Sequence, residues 1–260
     1  MADVLLKTRD ARGVVTLTLN DPARFNALGS EMLEALQAAF DAIAQDSQVR
    51  VVVLGANGKA FCAGHNLKDM AAHPSLDYYQ RLFAQCSRMM LSIAQLPVPV
   101  IARVHGMATA AGCQLVAQCD LAIASHKASF ATSGINYGLF CATPSVPLVR
   151  NMAFKQAMEM LLTGDFMDAT TAQAQGLVNH AVAPEDLDDQ VERLVYSIVQ
   201  KPATAVRMGK ALLYQQREMG LQAAYALAGE TMACNMMDTD AQEGAQAFAQ
   251  KRQPRWRTEG

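Results

Sequence analysis

The chain has 260 residues, of which 51% are hydrophobic and 18% are charged, and its formal net charge is -2. This composition excludes an intrinsically disordered chain, and the small net charge without a cluster of Lys and Arg argues against a nucleic-acid partner. No apolar run reaches the about 20 residues that span a bilayer, and the first ten residues lack a signal-peptide pattern, so we expect a cytoplasmic protein without membrane insertion.

Short β-branched runs bounded by turn residues predict four strands, at residues 14–19, 49–56, 98–104 and 120–125. Helical patterns lie between them. In residues 30–45, Ser30 is expected to cap the helix, and one face carries the apolar residues Met32, Leu33, Leu36, Phe40 and Ile43. The alternation of strands and helices predicts an α/β fold.

The last part of the chain has a different pattern. From Glu185 to Arg252 the strand signals stop, and the sequence predicts three or four helices, separated at Pro202, at Gly220 and at the polar residues 235–243. We therefore expect an α/β core over residues 1–200 and a helical C-terminal region over residues 201–260. This region can cover a pocket, form an oligomer interface, or do both.

The six cysteines show no CxxC pair and no histidine at a zinc-like spacing. We therefore predict neither a disulfide framework nor a metal site, and we expect most of these cysteines to be reduced core residues. They are Cys62, Cys86, Cys113, Cys119, Cys141 and Cys234.

Two segments, residues 51–70 and 100–119, share one design: a hydrophobic strand, then small residues with a glycine, then a helical pattern. Small residues let a ligand approach the main chain, and a helix start offers free N–H groups. If the two loops converge, their amides can form an oxyanion hole. The simpler interpretation, that Gly64 and Gly112 only permit tight turns, stays open at this point.

Five motifs in a fixed order resemble the enoyl-CoA hydratase/isomerase family, also called the crotonase superfamily. They are "RFNAL" at residues 24–28, "AFCAGHNLKDM" at 60–70, and the segments 97–125, 128–140 and 243–256. The resemblance implies a crotonase-like spiral of ββα units, followed by helices that join subunits into a trimer or a dimer of trimers. It also implies an acyl-CoA thioester as substrate, with coenzyme A carried by the substrate and no separate cofactor.

The resemblance assigns the two oxyanion-hole amides to His65 and Ala111. His65 departs from the small residue that is common there, and its imidazole can be an acid, a base or a polar contact in the pocket, or an ordinary hydrogen-bonded histidine. Hydratases of the family place two glutamates beside the catalytic water, at positions that hold Gln114 and Gly134 here. Glutamine does not take up a proton near neutral pH, and glycine has no side chain, so two-glutamate hydration is doubtful.

Cys141 is the strong nucleophile near these positions, which leaves open a thioester hydrolase; the alternative is a buried cysteine in the pocket wall. For CoA, the family motifs supply cations for the phosphates at Arg24, Lys68 and Lys251 and aromatic rings at Phe25 and Phe248, and they place Ala63 beside the cofactor portion of the substrate. The sequence thus predicts an enoyl-CoA hydratase-like protein acting on acyl-CoA in fatty acid metabolism. The alternatives are a non-catalytic acyl-CoA-binding protein and a hydrolase that uses Cys141.

Overall fold

The computed structural model describes residues 3–256. The strands are β1 (Leu5–Arg9), β2 (Val14–Leu19), β3 (Val51–Ala56), β4 (Ala60–Cys62), β5 (Val100–Val104), β6 (Met107–Thr109), β7 (Leu121–Ser125), β8 (Ser129–Ala131), β9 (Met167–Asp168) and β10 (His180–Val182). The helices are α1 (Ser30–Ala44), α2 (Leu67–Ala72), α3 (Leu76–Gln95), α4 (Ala111–Gln118), α5 (Ala142–Asn151), α6 (Phe154–Thr163), α7 (Ala169–Ala174), α8 (Leu187–Val199), α9 (Ala203–Gln216), α10 (Leu221–Met236) and α11 (Thr239–Ala249). Short 3-10 turns lie at Pro22–Arg24, Ser133–Tyr137 and Pro184–Asp186.

The strands form two sheets whose connections repeat one unit. The larger sheet has the order β1-β2-β3-β5-β7-β10, and the smaller one has the order β4-β6-β8-β9. In three successive units, a strand of the larger sheet is followed by a short strand of the smaller sheet and then by helix. The strand pairs are β3 and β4, β5 and β6, and β7 and β8. Within each sheet, the three strands of these units run parallel to one another. This is the spiral of ββα units that the resemblance implies, so the predicted fold class is confirmed.

Strand β3 shows why the larger sheet is so apolar. All six of its residues are buried, because helices cover both faces of the sheet. Since side chains alternate along a strand, Val52 and Leu54 join the main core with α1, α3 and α4, while Val51 and Val53 pack with residues of α8 on the opposite face. A continuous hydrophobic run is therefore required here.

The four predicted strands and the predicted first helix are present, with ends shifted by at most two residues. The expected cap is wrong: Gly29 is the N-cap of α1, and Ser30 is its first helical residue without a capping side-chain hydrogen bond. The strands of the smaller sheet were not predicted, because two or three residues are too short to show a period of two.

The region predicted to be helical forms α8 to α11, and the chain breaks near Pro202, Gly220 and Asp238 as expected. The residues at the ends of the two predicted domains, 1–2 and 257–260, lie outside the described residues. Among the helices of residues 3–256, none combines the length and the apolar character needed to cross a membrane.

A buried ion pair attaches α9 to the core. The ammonium group of Lys210 donates to Asp120 Oδ2 at 2.7 Å and to the carbonyl oxygens of Ile93 at 2.8 Å and Val98 at 2.9 Å, so all three of its protons are used. Tyr214, one turn later, donates its hydroxyl to Asp120 Oδ1 at 2.9 Å. Both charges are satisfied only while α9 is in place.

We expect Lys210→Met to lower the free energy of unfolding by about 3–5 kcal/mol, because Asp120 would keep its burial and lose its counter-charge. The matched control is Arg81→Met, which breaks the exposed pair with Asp77 and should cost less than about 1 kcal/mol. Urea unfolding of both variants measures the difference. Equal losses in the two variants would contradict this role for Lys210.

Candidate functional site

The two glycine loops meet in space. Strands β4 and β6 are parallel neighbours, so the loops that follow them leave the same edge of the smaller sheet. A methyl group placed on Gly64 would lie 2.9 Å from Ala110 Cβ and 3.0 Å from the backbone nitrogen of Ala111. Gly64 also has a φ of +87°, in the left-handed region. The glycine therefore serves a contact between the loops as well as a turn.

Gly112, in the second loop, is required by contact with the strand that precedes the first loop. A Cβ at this position would lie 2.1 Å from the carbonyl oxygen of Cys62, which no rotamer change can relieve because that oxygen belongs to the backbone. The start of α4 is thus pressed against the end of β4. Together, Gly64 and Gly112 hold the two loops at main-chain distance.

Asn26, within the motif "RFNAL", holds the turn that precedes the first loop. Its side chain is buried, and Nδ2 donates to the carbonyl oxygens of Asn57 at 2.8 Å and Ala60 at 2.9 Å. Oδ1 accepts the backbone N–H of Asp21 at 2.8 Å. The amide thereby fastens residues 21–28 to the chain that enters β4.

The same segment contacts the first loop directly. The backbone N–H of Ala63 donates to the carbonyl oxygen of Phe25 at 3.1 Å. The backbone N–H of Leu28 donates to the carbonyl oxygen of Gly64 at 2.8 Å. The hydroxyl of Thr109, at the end of β6, donates to the Ala63 carbonyl oxygen at 3.2 Å. Hydrogen bonds from two sides therefore fix the main chain at residues 63 and 64.

The amides of His65 and Ala111 are available to a ligand. Ala111 is the first residue of α4, where N–H groups have no partner within the helix, and His65 directly precedes Asn66, the N-cap of α2. Neither N–H donates to any residue in the part of the chain that the structure describes. The residue before Ala111, Ala110, has a φ of 49° and donates its own N–H to Ala131 at 2.9 Å.

A cavity of about 180 Å³ lies beside the two loops. Ala63, His65 and Ala111 form one side of it, and the 3-10 turn with the start of α5 forms another. The apolar part of its wall consists of Leu67, Met70, Phe83, Leu139, Phe140 and Pro144. Within residues 3–256 no Asp or Glu lines this cavity, so its wall carries no carboxylate.

His65 lines the cavity and is held in one tautomer. Its Nδ1 lies 2.8 Å from the carbonyl oxygen of Leu28, which can only accept, so Nδ1 carries a proton. The other nitrogen, Nε2, is buried and has no hydrogen-bond partner among the described residues. The ring packs against Phe83 with 5.5 Å between ring centroids. Burial lowers the pKa of His65, so the imidazole is neutral at pH 7.

Gln114 is buried in the first turn of α4, and its Oε1 has no hydrogen-bond partner among the described residues. It follows Ala111 by three residues, as the sequence suggests, but it is not among the residues that line the cavity. Its side chain is buried in the protein interior.

Gly134 lines the cavity in the 3-10 turn that follows β8. A Cβ there would lie 2.8 Å from Cys141 Sγ and 2.8 Å from the carbonyl oxygen of Leu139. The first atom could move with its side chain, but the second belongs to the backbone. The position therefore has no room for the first atom of a glutamate side chain.

Cys141 is the N-cap residue of α5 and lines the cavity, yet it is only 6% exposed. Burial raises the pKa of its thiol, and a hydrogen bond with the backbone of Gly134 offsets part of this effect. The group is therefore a thiol at neutral pH. The predicted core placement holds for five of the six cysteines, which are buried, whereas Cys234 is exposed.

The residues predicted to bind CoA, Ala63 excepted, lie outside the cavity wall. Arg24 forms ion pairs with Asp21 at 2.6 Å and Glu31 at 3.7 Å, which compensate its charge. Lys68 and Lys251 are exposed, as are the rings of Phe25, which is 50% exposed, and Phe248, which is 88% exposed. Their contact with CoA stays a prediction.

Sequence reasoning missed the two residues that hold the first loop, Asn26 and Leu28. Both belong to the motif "RFNAL", from which the family resemblance predicts contacts with CoA only for Arg24 and Phe25. The sequence signal for Asn26 is a polar side chain between the apolar residues Phe25 and Ala27. Its burial and the acceptor role of the Leu28 carbonyl depend on contacts with residues more than thirty positions away, which no local pattern shows.

Comparison with known proteins connects this geometry to a family. Residues 9–259 match the sequence profile of the family described as enoyl-CoA hydratase/isomerase. A curated rat protein (Rattus norvegicus) named enoyl-CoA hydratase domain-containing protein 3, mitochondrial, is 42% identical over 252 residues, which cover 97% of this chain and 84% of the relative.

Two solved structures are similar over nearly their whole length. One, described as enoyl-CoA hydratase from Mycobacterium smegmatis, is 61% identical with a TM-score of 0.97 and covers 98% of this chain and 99% of that chain. The other, human enoyl-CoA hydratase domain-containing protein 3, is 41% identical with a TM-score of 0.94 and covers 97% of this chain and 100% of that chain.

The prediction of a cytoplasmic protein is wrong by these comparisons. The curated relatives from rat, Xenopus laevis, mouse and human are all named mitochondrial. The sequence argument rested on the lack of a secretory signal pattern. That pattern separates secreted chains from others and does not distinguish the compartments within a cell.

We expect Gly134→Ala to destabilise the protein by about 1–3 kcal/mol, because its Cβ would overlap the Leu139 carbonyl oxygen in a packed turn. The matched control is Gly209→Ala in α9, where no atom lies within 4 Å of the added Cβ and where the loss of glycine should stabilise by about 0.5–1 kcal/mol. Thermal unfolding of both variants measures this contrast. If Gly134→Ala were as stable as the parent, the position could accept a side chain after all.

Proposed function

Because the chain belongs to the enoyl-CoA hydratase/isomerase family, we propose that it binds an acyl-CoA thioester with the carbonyl oxygen between the backbone N–H groups of His65 and Ala111. The observation that carries this proposal is the convergence of the two loops, in which a Cβ on Gly64 would lie 3.0 Å from the Ala111 nitrogen. The loop that carries the unpaired Ala111 N–H thus contacts the residue that directly precedes His65, which supports a shared site for one oxygen atom. No cofactor besides the CoA of the substrate enters the proposal.

The site favours negative charge on the thioester oxygen. Ala111 lies at the start of α4, where the unpaired N–H groups and the helix dipole give a positive potential. When a proton leaves the α-carbon or a nucleophile adds to the enoyl chain, the oxygen becomes enolate-like. Each fixed donor at such an oxygen is worth about 2.7–4 kcal/mol of transition-state stabilisation. The main chain supplies both donors of this stabilisation.

The described wall of the cavity offers no carboxylate for proton transfer. A positioned acid or base contributes about 10²–10⁴-fold, and the described cavity wall has no carboxylate for this purpose. Gln114 carries an amide, which does not take up a proton near neutral pH, and Gly134 has no room for a side chain. We therefore propose a hydratase-like thioester site in which carbonyl polarisation is retained and two-glutamate hydration is lost.

The same observation favours a second candidate function, the binding of acyl-CoA without turnover. A protein that polarises the thioester carbonyl but lacks a carboxylate to carry the proton would still retain the ligand with high selectivity for thioesters. Hydrolysis through Cys141 has less support, because the thiol is buried and burial raises its pKa, which leaves little thiolate for attack.

We also propose that subunits associate through the C-terminal helices, as a trimer or a dimer of trimers. In support, α10 exposes large apolar side chains that a monomer would leave in water. Leu221 is 77% exposed, and Tyr225 and Met232 are each 72% exposed. The exposed ring of Phe248 on α11 extends this surface, where a neighbouring subunit or the nucleotide of CoA could cover it.

We expect a chromophoric thioester, 4-dimethylaminocinnamoyl-CoA, to bind with a red-shifted absorption band, because two hydrogen bonds to the carbonyl oxygen polarise the conjugated system. The matched control ligand is S-butyl-CoA, a thioether without a carbonyl group, which should bind at least about tenfold more weakly than butyryl-CoA. Absorption spectra and calorimetry measure the two effects. Binding without a red shift, or equal affinity for thioester and thioether, would contradict the proposed site.

We expect Gln114→Glu to leave the hydration of crotonyl-CoA within about tenfold of the parent rate, whereas an effective acid or base would raise it by about 10²–10⁴-fold. The reason is that the side chain of residue 114 is buried and its oxygen has no hydrogen-bond partner among the described residues, so a carboxyl group there would stay protonated. Loss of absorbance by the enoyl thioester measures the rate. A gain of two orders of magnitude or more would show that the site is still arranged for hydration.

A further inference from the structure

We infer that the imidazole of His65 positions its own backbone N–H in the oxyanion hole, through the hydrogen bond from Nδ1 to the carbonyl oxygen of Leu28. The inference rests on the proposed function and adds to it a side chain that fixes the geometry of one donor. The imidazole acts here as a positioning group.

The argument begins with one peptide unit. The carbonyl group of Gly64 and the N–H group of His65 belong to the same planar, trans peptide, so they point in opposite directions. The backbone N–H of Leu28 donates to the Gly64 carbonyl oxygen at 2.8 Å. That oxygen therefore faces residue 28, and the N–H of His65 faces away from it. This hydrogen bond therefore fixes the direction in which the His65 N–H points.

The imidazole supplies a second point of attachment to the same residue. Nδ1 of His65 donates to the Leu28 carbonyl oxygen at 2.8 Å. Both backbone polar groups of Leu28 are therefore engaged. Its N–H donates to the carbonyl oxygen of Gly64, and its own carbonyl oxygen accepts from the ring of His65. One hydrogen bond permits rotation about its own axis, and two bonds at separate points remove that freedom.

Leu28 is itself a rigid reference. Its side chain is fully buried in the main core, and the preceding turn is fixed by the buried amide of Asn26. On the other side, the ring of His65 packs against Phe83 of α3. The imidazole is therefore held between Leu28 and Phe83, which limits rotation of the Gly64–His65 peptide.

The hydrogen bond from the Leu28 N–H to the Gly64 carbonyl oxygen also makes the His65 N–H a stronger donor. A peptide whose carbonyl oxygen accepts a hydrogen bond becomes more polarised, which makes its N–H a better donor. The Leu28 N–H polarises the Gly64–His65 peptide in this way, and the hydrogen bond from the imidazole holds Leu28 in place. A residue with a small side chain at position 65 could not make the second contact.

The test compares three variants that differ in whether they can donate to Leu28. In His65→Asn, the side-chain nitrogen is two bonds from Cβ, as Nδ1 is in histidine, so this variant keeps the donor. In His65→Gln the nitrogen is one bond further away, and in His65→Leu there is none. Circular dichroism and thermal unfolding establish that each variant is folded. The readout is the red shift of bound 4-dimethylaminocinnamoyl-CoA, with the affinity ratio of butyryl-CoA to S-butyl-CoA.

We expect the parent and His65→Asn to show the same red shift, and His65→Gln and His65→Leu to lose most of it. The thioester-to-thioether affinity ratio should fall by about tenfold in the last two, less than the about 10²–10³-fold rate loss that follows complete removal of an oxyanion donor. A purely structural role would lower thermal stability without changing this ratio.

Two outcomes separate the inference from the proposed function. If the parent itself gives no red shift and no preference for the thioester, the proposed function fails and the inference fails with it. If the parent shows both and any folded variant without the donor shows them equally, the inference alone is overturned. Because glutamine and leucine differ in polarity, the comparison stands even where one of the two variants does not fold.

Discussion

Main-chain contact between two loops is the constraint on which the site depends. Backbone segments can approach this closely only where a side chain is missing, and Gly64 and Gly112 provide this on the two sides of the contact. The two parallel short strands bring the loops to the same sheet edge, and the buried Asn26 fixes the turn behind them. The spiral fold thereby brings two segments that are about fifty residues apart in the chain into main-chain contact.

The two positions that the family resemblance assigns to glutamates differ in kind. At residue 114 a buried amide stands in the first turn of α4, and it cannot exchange a proton near neutral pH. At residue 134, Cys141 and the Leu139 carbonyl oxygen fill the space that a side chain would need. The turn around residue 134 has thus been packed for the present sequence.

Much of the fold could be predicted from the sequence, and less of the site. The valine-rich strands and the first helix have strong periods, so their existence and approximate ends follow from local pattern. Loop convergence could be stated only as a condition, because it depends on strands of three residues that carry no period. The partners of His65 and Asn26, and the displacement of Gln114 from the cavity wall, depend on distant contacts that a linear pattern cannot contain.

The attachment of α9 to Asp120 has a consequence for biosynthesis. Asp120 accepts the backbone N–H of Val100 at the start of β5, the strand that leads to the second loop, and its counter-charge arrives ninety residues later with Lys210. During translation, the α/β core therefore emerges with a carboxylate that it cannot bury at low cost. The core becomes complete only when α9 has left the ribosome, because α9 carries the counter-charge of Asp120.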